Sequence, residues 1–250
     1  MKIVVCIKRV PDTAAKIRID SSGQSIDASD VQYVISPYDE FAIEEAVQIK
    51  ERDGASEVTV ICYGSEPAQQ DVRKALAFGA DQGVHIVSDG DPLDPFAAAR
   101  NLADAIRPLA PDLVLFGRQA ADGQSGQVGP MTARLLGLPC VTDIVKLEFE
   151  GANMITEREV EGGRERCRTR LPAAVTTQKG LNDPRYPSLK GIMAAKKKNI
   201  ARVDAKPFDA GVKRVSLELP PPRPAGKIVG EGVDAVPELV RLLREEAKVI

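Results

Sequence analysis

The strongest constraint on the fold is a regular alternation of short apolar runs with helix-start signals up to residue 137. Lys2 to Ile7, Glu57 to Cys62, Gly83 to Val87 and Leu113 to Phe116 read as strands, the last apolar enough to be buried on both faces. Between them lie Ser36-Pro37, Pro67 and Asp94-Pro95. A proline suits the first helical position because its missing N–H is one that a helix leaves unpaired anyway, and Ser36 and Asp94 stand where N-caps belong. Asp39 and Glu40 add negative charge at the positive end of the first helix dipole. That helix carries Ile43, Ala46, Val47 and Lys50 on one face and ends at Asp53-Gly54. The second buries Val72, Ala75 and Leu76 and stops near Gly79. The third carries Ala98, Leu102, Ala105 and Ile106 and ends at Pro108. Strand-helix alternation predicts an α/β fold: a doubly wound, mostly parallel, Rossmann-like sheet with helices on both faces.

Past residue 137 the pattern changes. Cys140 to Phe149, Met154 to Glu161 and Arg164 to Leu171 are strand-like, with Gly151 and Gly162-Gly163 between them. Two tight turns in succession predict an antiparallel meander. Ala173 to Thr177 reads as a strand returning to the main sheet. Earlier, Lys8, Arg9 and Pro11 read as a strand-end loop, and Lys16 to Asp20 with Ser25 to Asp27 as a small hairpin excursion. Composition shifts again near residue 205, so the expected organisation is an α/β domain over 1–205 and a C-terminal arm over 206–250. The arm has Pro220-Pro-Pro-Arg-Pro224, then Gly226, Gly230 and Gly232, then an amphipathic helix from Asp234 to Ala247 with Leu239, Val240, Leu242 and Leu243. So little local core requires the arm to lie on other parts of the protein or on a partner chain.

The most informative stretch for function runs from Leu113 to Thr132. A strand leads into glycines 117, 123, 126 and 129, and Pro130 stands where a helix starts, with Met131, Leu135 and Leu136 as its apolar face. Glycines let backbone N–H groups approach a phosphate, and a helix N-terminus favours its charge. The loop has neither the Gly-Lys-Ser/Thr of a Walker A loop nor a clean G-x-G-x-x-G. A surface turn rich in Gly and Gln fits the same letters. Gln119, Asp122, Ser125 and Gln127 can hydrogen-bond a ribose or a phosphate, which favours the cradle.

Other classes of function find little support. A net charge of −2 argues against a general nucleic-acid binder. No apolar run approaches the roughly 20 residues a spanning helix needs. The N-terminal strand runs into Lys8-Arg9 with no signal-peptide pattern, which makes a cytoplasmic location the expectation. Cys6, Cys62, Cys140 and Cys167 are dispersed among apolar runs and read as buried thiols of a reducing compartment. The one histidine, His85, sits inside a strand and reads as structural. No metal cluster, Ser/His/Asp triad or Cys/His pair can be assembled. A nucleotide-like loop without a catalytic constellation points to binding or electron carrying.

One more segment stands out, over 180–198. Gly180-Leu-Asn-Asp-Pro-Arg-Tyr-Pro-Ser-Leu-Lys-Gly-Ile-Met-Ala-Ala-Lys-Lys-Lys198 combines prolines, exposed-looking Tyr186 and Leu189, and a lysine cluster. It reads either as a solvated helix end, where cations suit the dipole, or as a docking loop with an apolar anchor rimmed by positive charge.

These strings resemble the beta subunit of electron-transfer flavoprotein along nearly the whole chain. Val5-Cys-Ile-Lys-Arg-Val-Pro-Asp12 is similar to the family's opening strand, and Ser36-Pro-Tyr-Asp-Glu-Phe-Ala-Ile-Glu-Glu-Ala46 to its first helix. Lys74 to Gly83, the Gly-rich loop and Leu171 to Thr176 also match. The segment from Leu181 to Lys198 resembles the family's recognition loop, in which Leu189 matches the docking leucine. The resemblance implies an adenine-nucleotide-binding fold and a heterodimer with an alpha subunit that holds most of an FAD. Electrons arrive from flavin-dependent dehydrogenases, such as the acyl-CoA dehydrogenases of fatty-acid oxidation, and leave to a quinone oxidoreductase. It implies no bond-breaking chemistry in the beta chain, no membrane insertion and no nucleic-acid partner. The C-terminal arm packs on the alpha subunit. Carried over by position, an AMP pocket uses Cys6, Ser36, Pro37, Tyr38, Asp39 and Tyr63. It also takes Gly117, Arg118, Gln119, Ala120, Asp122, Gly123, Gln124, Ser125, Gly126, Gln127, Val128 and Gly129 from the loop. Tyr38 would lie nearest the flavin. Partner recognition falls to Tyr186, Leu189, Ile192, Met193, Lys196 and Lys197. The alternative is a bifurcating member, with a second FAD in place of AMP and NADH as donor. Gly123 and Gln127 to Pro130 fit that loop, while Gln124, Ser125, Gly126 and Arg134 depart from it.

Overall fold

The computed structural model describes residues 1–90, 93–208, 211–222 and 225–250. Arg223 and Pro224 of the proline-rich run lie outside the described residues. The chain divides into two compact units, Met1–Ser216 and Leu217–Ile250.

The first unit is built on one sheet. Its elements in chain order are β1 (Lys2–Ile7), β2 (Arg9–Pro11), β3 (Tyr33–Ile35), α1 (Pro37–Asp53), β4 (Glu57–Gly64), α2 (Gln69–Phe78), β5 (Gln82–Val87) and α3 (Pro95–Ile106). Then follow β6 (Leu113–Gly117), α4 (Val128–Leu136), β7 (Cys140–Glu150), β8 (Asn153–Val160), β9 (Gly163–Arg170), β10 (Ala173–Thr177), α5 (Leu189–Ala195) and β11 (Ile200–Asp204). The sheet order is β11-β5-β4-β1-β6-β10-β7-β8-β9. Pairing is parallel from β11 across to β7 and antiparallel through β8 and β9. The mostly parallel α/β layout and the meander therefore match the expectation, and β10 returns between β6 and β7 as a central strand.

Strand alternation assigns the two faces. Ile3, Val5, Val60 and Leu115 pack with α1 and α2 on one side. Val4, Cys6, Ile61 and Phe116 pack with Leu102 and Ile106 of α3 and Ala133 of α4 on the other. Both faces are covered, so central strands are apolar throughout rather than alternating. The helix ends follow their sequence signals. Asp94 accepts from the Phe96 N–H at 2.8 Å as an N-cap, and Gly54 closes α1 in the left-handed conformation at φ 64°.

Several elements differ from expectation. Helix α4 starts at Val128, two residues before Pro130, and the residues it buries are Gly129, Thr132 and Ala133. Met131, Leu135 and Leu136 are only half-buried. The reason is close approach: a Cβ on Gly129 would stand 2.8 Å from Thr176 Cγ2, so small side chains face the sheet. The hairpin expected near residue 20 reduces to one isolated bridge, Ile19 to Ile26. Arg9 and Pro11 pair with Ile35 and Tyr33 as an antiparallel ribbon instead of forming a simple loop. Strand β11 extends the parallel sheet beyond β5, an element the sequence pattern did not reveal. Cys6 and Cys62 are buried as expected, but Cys140 and Cys167 are partly exposed. His85 is buried, its Nε2 3.2 Å from the Gly64 carbonyl, which fits a structural role.

The second unit holds α6 (Val236–Glu245) behind a single turn over Val233–Ala235. Arg241 pairs with Glu238 and Glu245 along the helix surface. Ile228, Val233 and Leu239 are exposed.

Candidate functional site

Parallel strands end their C-terminal edges together, and the loops there enclose a cleft at the point where sheet order reverses. β1 is that point here: β4 lies on one side of it and β6 on the other. The cleft opens over these three strand ends. Its floor comes from Cys6 and Ile7 of β1, Tyr63 of β4 and Phe116 of β6. One wall is the start of α3, with Leu93, Pro95, Ala98 and Leu102. The opposite rim is the Gly-rich loop, with Gly117 to Ala120 and Gly123 to Gly129 all on the lining. The space inside it, counted out to the open mouth, is about 890 Å³.

The floor is held by one carboxylate. Asp39 Oδ2 accepts the Lys8 N–H at 2.7 Å and Oδ1 accepts the Gly117 N–H at 3.0 Å. Asp39 thus ties the ends of β1 and β6 to α1, rather than only complementing the helix dipole. Burial pushes its carboxyl up to about 7, against the lowering effect of those two N–H groups. The nearby Thr177 hydroxyl donates to the Phe116 and Tyr38 carbonyls. Gly117 is required at this crossing. A Cβ there would run into the Asp39 carboxylate and stand 2.7 Å from the Tyr38 carbonyl carbon.

The loop is shaped to present donors. Gln124 adopts φ +49° and Gly126 φ +63°, both left-handed, and the Gln124 N–H bonds back to the Ala120 carbonyl at 3.0 Å. Among the described residues no acceptor meets the N–H groups of Ser125, Gly126, Gln127, Val128 or Gly129. Those groups surround the N-terminus of α4, where an anion is favoured by the helix dipole and by direct hydrogen bonds. Lys8 Nζ and Arg118 add positive charge. Lys8 bonds Asp122 at 2.6 Å across the mouth, and Arg118 lies 3.6 Å from Asp143. The cleft thus offers free N–H donors and a lysine to an anion, and an apolar wall of Leu93, Ala98, Leu102 and Phe116 to a flat ring. The Cys6 thiol is held protonated by burial, so it contributes packing and not charge.

Of the residues expected from sequence, Cys6, Asp39, Tyr63, Gly117 to Ala120 and Gly123 to Gly129 line the cleft. Ser36, Pro37 and Tyr38 stand behind it, at the start of α1. Ser36 is fully buried with its Oγ 3.5 Å from the Gln119 carbonyl, and makes no side-chain cap bond. Asp122 sits at the mouth as the partner of Lys8. Lys8, Ile7 and the α3 wall were missed. Lys8 was findable, because the residue after the first parallel strand belongs to the strand-end edge.

The residues expected to dock a partner gather elsewhere. Tyr186 is 95% and Leu189 83% exposed, Met193 62% and Ile192 41%. Lys196 and Lys197 are exposed beside them. Lys198 is different: its Nζ binds the Leu76 and Ala80 carbonyls at the end of α2. No groups of metal-ligating side chains occur among the described residues, and no helix there is long and apolar enough to cross a membrane.

A doubly wound sheet with a donor-lined loop over its switch point defines a Rossmann-like α/β protein. The Electron transfer flavoprotein domain family matches residues 25–208. The chain is 44% identical to the electron transfer flavoprotein subunit beta of Bacillus subtilis, over all of both chains. It is 39% identical to the subunit of the same name from Homo sapiens, with 98% of each chain covered. It is 41% identical to that of Syntrophomonas wolfei, over 100% of this chain and 98% of the relative. The chain belongs to the electron-transfer flavoprotein beta subunits.

Proposed function

We propose that this beta subunit forms half of a heterodimeric electron carrier and catalyses no reaction of its own. An alpha subunit holds most of an FAD, and the bound flavin supplies the electron-carrying ring. Electrons enter from flavin-dependent dehydrogenases of the acyl-CoA class and leave to a quinone oxidoreductase. The cleft holds AMP: N–H groups of Ser125 to Gly129 with Lys8 take the phosphate, and the α3 wall takes the adenine. Tyr186, Leu189, Ile192 and Met193, with Lys196 and Lys197, dock the donor. The arm after residue 205 lies on the alpha subunit, which accounts for the exposed Ile228, Val233 and Leu239.

The observation that carries the cleft reading is the run of unpaired N–H donors at the start of α4, beside a lysine and an apolar wall. Donors left free at a helix start on the rim of a cleft are the groups that an anion meets, by direct hydrogen bonds and by the helix dipole. The test is to purify the chain with its alpha subunit, denature the complex and identify the released nucleotides. One FAD with one AMP per heterodimer is the expected result. Two FAD would replace the AMP reading with a bifurcating carrier. FAD alone would overturn the adenylate assignment of the cleft.

A further inference from the structure

The segment that displays Tyr186 and Leu189 is held to the body of the protein at both of its ends. On the N-terminal side, Arg185 reaches two glutamates about two turns apart on α1. Its Nε lies 2.8 Å from Glu44 Oε2 and its Nη2 2.9 Å from Glu44 Oε1. Its Nη1 and Nη2 lie 2.7 and 2.9 Å from the two oxygens of Glu51. The Arg185 backbone N–H also meets Glu44 Oε2 at 3.2 Å. Glu44 is 3% exposed, so one side of this clamp is nearly dry. Asn182 adds bonds to the Phe41 carbonyl and to Glu45, each at 3.1 Å. On the C-terminal side, Arg73 of α2 donates to the Ala195 and Lys198 carbonyls. Between the two ends, Gly191 lies flush on α2, since a Cβ there would collide with the Ala77 carbonyl.

We propose that Arg185 is a positioning residue for donor docking: its bidentate grip on Glu44 and Glu51 fixes the backbone from which Tyr186 and Leu189 project. This rests on the docking reading given above. The physical reason is entropy. An exposed anchor on a mobile loop loses conformational freedom on each encounter, and holding the loop in its bound form beforehand removes that cost. Arginine is suited to the task because its planar fork engages two carboxylates at once, whereas a lysine ammonium is a single point charge. The same helix that carries Asp39 at the cleft therefore carries the foothold of the docking segment.

The test uses the intact heterodimer and three variants, Arg185→Lys, Glu51→Gln and Leu189→Ala. Flavin content, flavin reduction potential and the KM and kcat for reduction by an acyl-CoA dehydrogenase are measured for each. Arg185→Lys is expected to raise KM for the carrier about 5- to 10-fold, equivalent to roughly 1 to 1.4 kcal/mol. Flavin content, potential and kcat stay at the wild-type values. Glu51→Gln, at a position whose side chain is 56% exposed, is expected to raise KM about 2-fold. A KM unchanged by both, while Leu189→Ala raises it, overturns the clamp and leaves the docking reading standing. A KM unchanged in Leu189→Ala overturns the docking reading itself. Equal losses of flavin content and kcat in Arg185→Lys would make Arg185 a general stability residue and also overturn the proposal.

Discussion

Asp39 and Gly117 are 78 residues apart, yet the Asp39 carboxylate accepts the Gly117 N–H at 3.0 Å. Its other oxygen takes the Lys8 N–H. One buried acid therefore closes the edge between β1 and β6, where the cleft floor lies. The arrangement has a cost, because the ionised form is desolvated and its pKa rises from 3.8 to about 7. The native state then holds this proton more tightly than the unfolded chain does. By linkage, the stability from this group is fully present below about pH 3.8 and is lost as pH rises to about 7. Urea unfolding of wild type and Asp39→Asn between pH 4 and 8 checks it. The stability difference between the two should shift across that window in favour of the Asn variant, by on the order of 3 kcal/mol. A constant difference at every pH would show that Asp39 is ionised throughout.

Gly117→Ala tests the same crossing sterically. The added methyl would stand 2.7 Å from the Tyr38 carbonyl carbon and 2.8 Å from the Asp39 nitrogen, and both are backbone atoms. Neither can swing aside as a side-chain tip can, so α1 must shift away from β6. The expected cost is about 2 kcal/mol of stability, with most of the bound nucleotide lost on purification. Chemical denaturation and nucleotide analysis of the heterodimer measure the two effects separately.

The pattern of strands and helices was readable because each helix announces itself with a proline or a cap, and each central strand with an apolar run. The loop from Gly117 to Gly129 was readable for the same reason: glycines next to a strand are a local signal. The Asp39 tie was not. The letters Ser36-Pro-Tyr-Asp39 look the same whether Asp39 faces solvent at a helix start or points into the sheet edge. The α3 wall escaped because it reaches the cleft only through a crossover connection. Strand β11 escaped because it is an edge strand with mostly exposed side chains, and Ile200-Ala-Arg-Val-Asp204 has no run of apolar residues. Arg185 carried no signal of its own, since its partners lie more than 130 residues earlier in the chain.

Lys8 offers a cleaner separation of binding from folding. Its ion pair with Asp122 is short at 2.6 Å, but both side chains are about one-third exposed, at 31% and 33%. Water and salt screen such a pair, so Lys8→Gln should change stability by less than about 1 kcal/mol. On the proposed adenylate reading, the phosphate has fewer alternatives at that rim. Affinity for AMP should fall about tenfold, roughly 1.4 kcal/mol, and lose part of its salt dependence. Calorimetric titration of the nucleotide-stripped heterodimer at low and high salt is the measurement. An affinity equal to wild type at low salt would remove Lys8 from the phosphate site.

Asp71 should behave in the opposite way, as a residue of stability alone. It is fully buried on α2 and receives Arg9 Nη1 at 2.6 Å and Lys74 Nζ at 2.8 Å. Arg9 belongs to the ribbon of β2 and β3, and its guanidinium lies 4.3 Å from the centre of the Tyr33 ring. The carboxylate thus fastens the ribbon to α2. Removing it leaves Arg9, only 19% exposed, without the charge that offsets its desolvation. Asp71→Ala should therefore cost about 3 kcal/mol, the range for breaking a buried pair from one side. A double variant with Arg9→Met should recover part of that loss, because the stranded cation is gone and the methionine still packs on Tyr33. Neither side chain lines the cleft or bonds to the docking segment, so AMP affinity and the KM for donor reduction should match wild type in whatever protein remains folded. A double variant no more stable than Asp71→Ala would mean that the cost lies in packing around α2 and not in the unpaired charge.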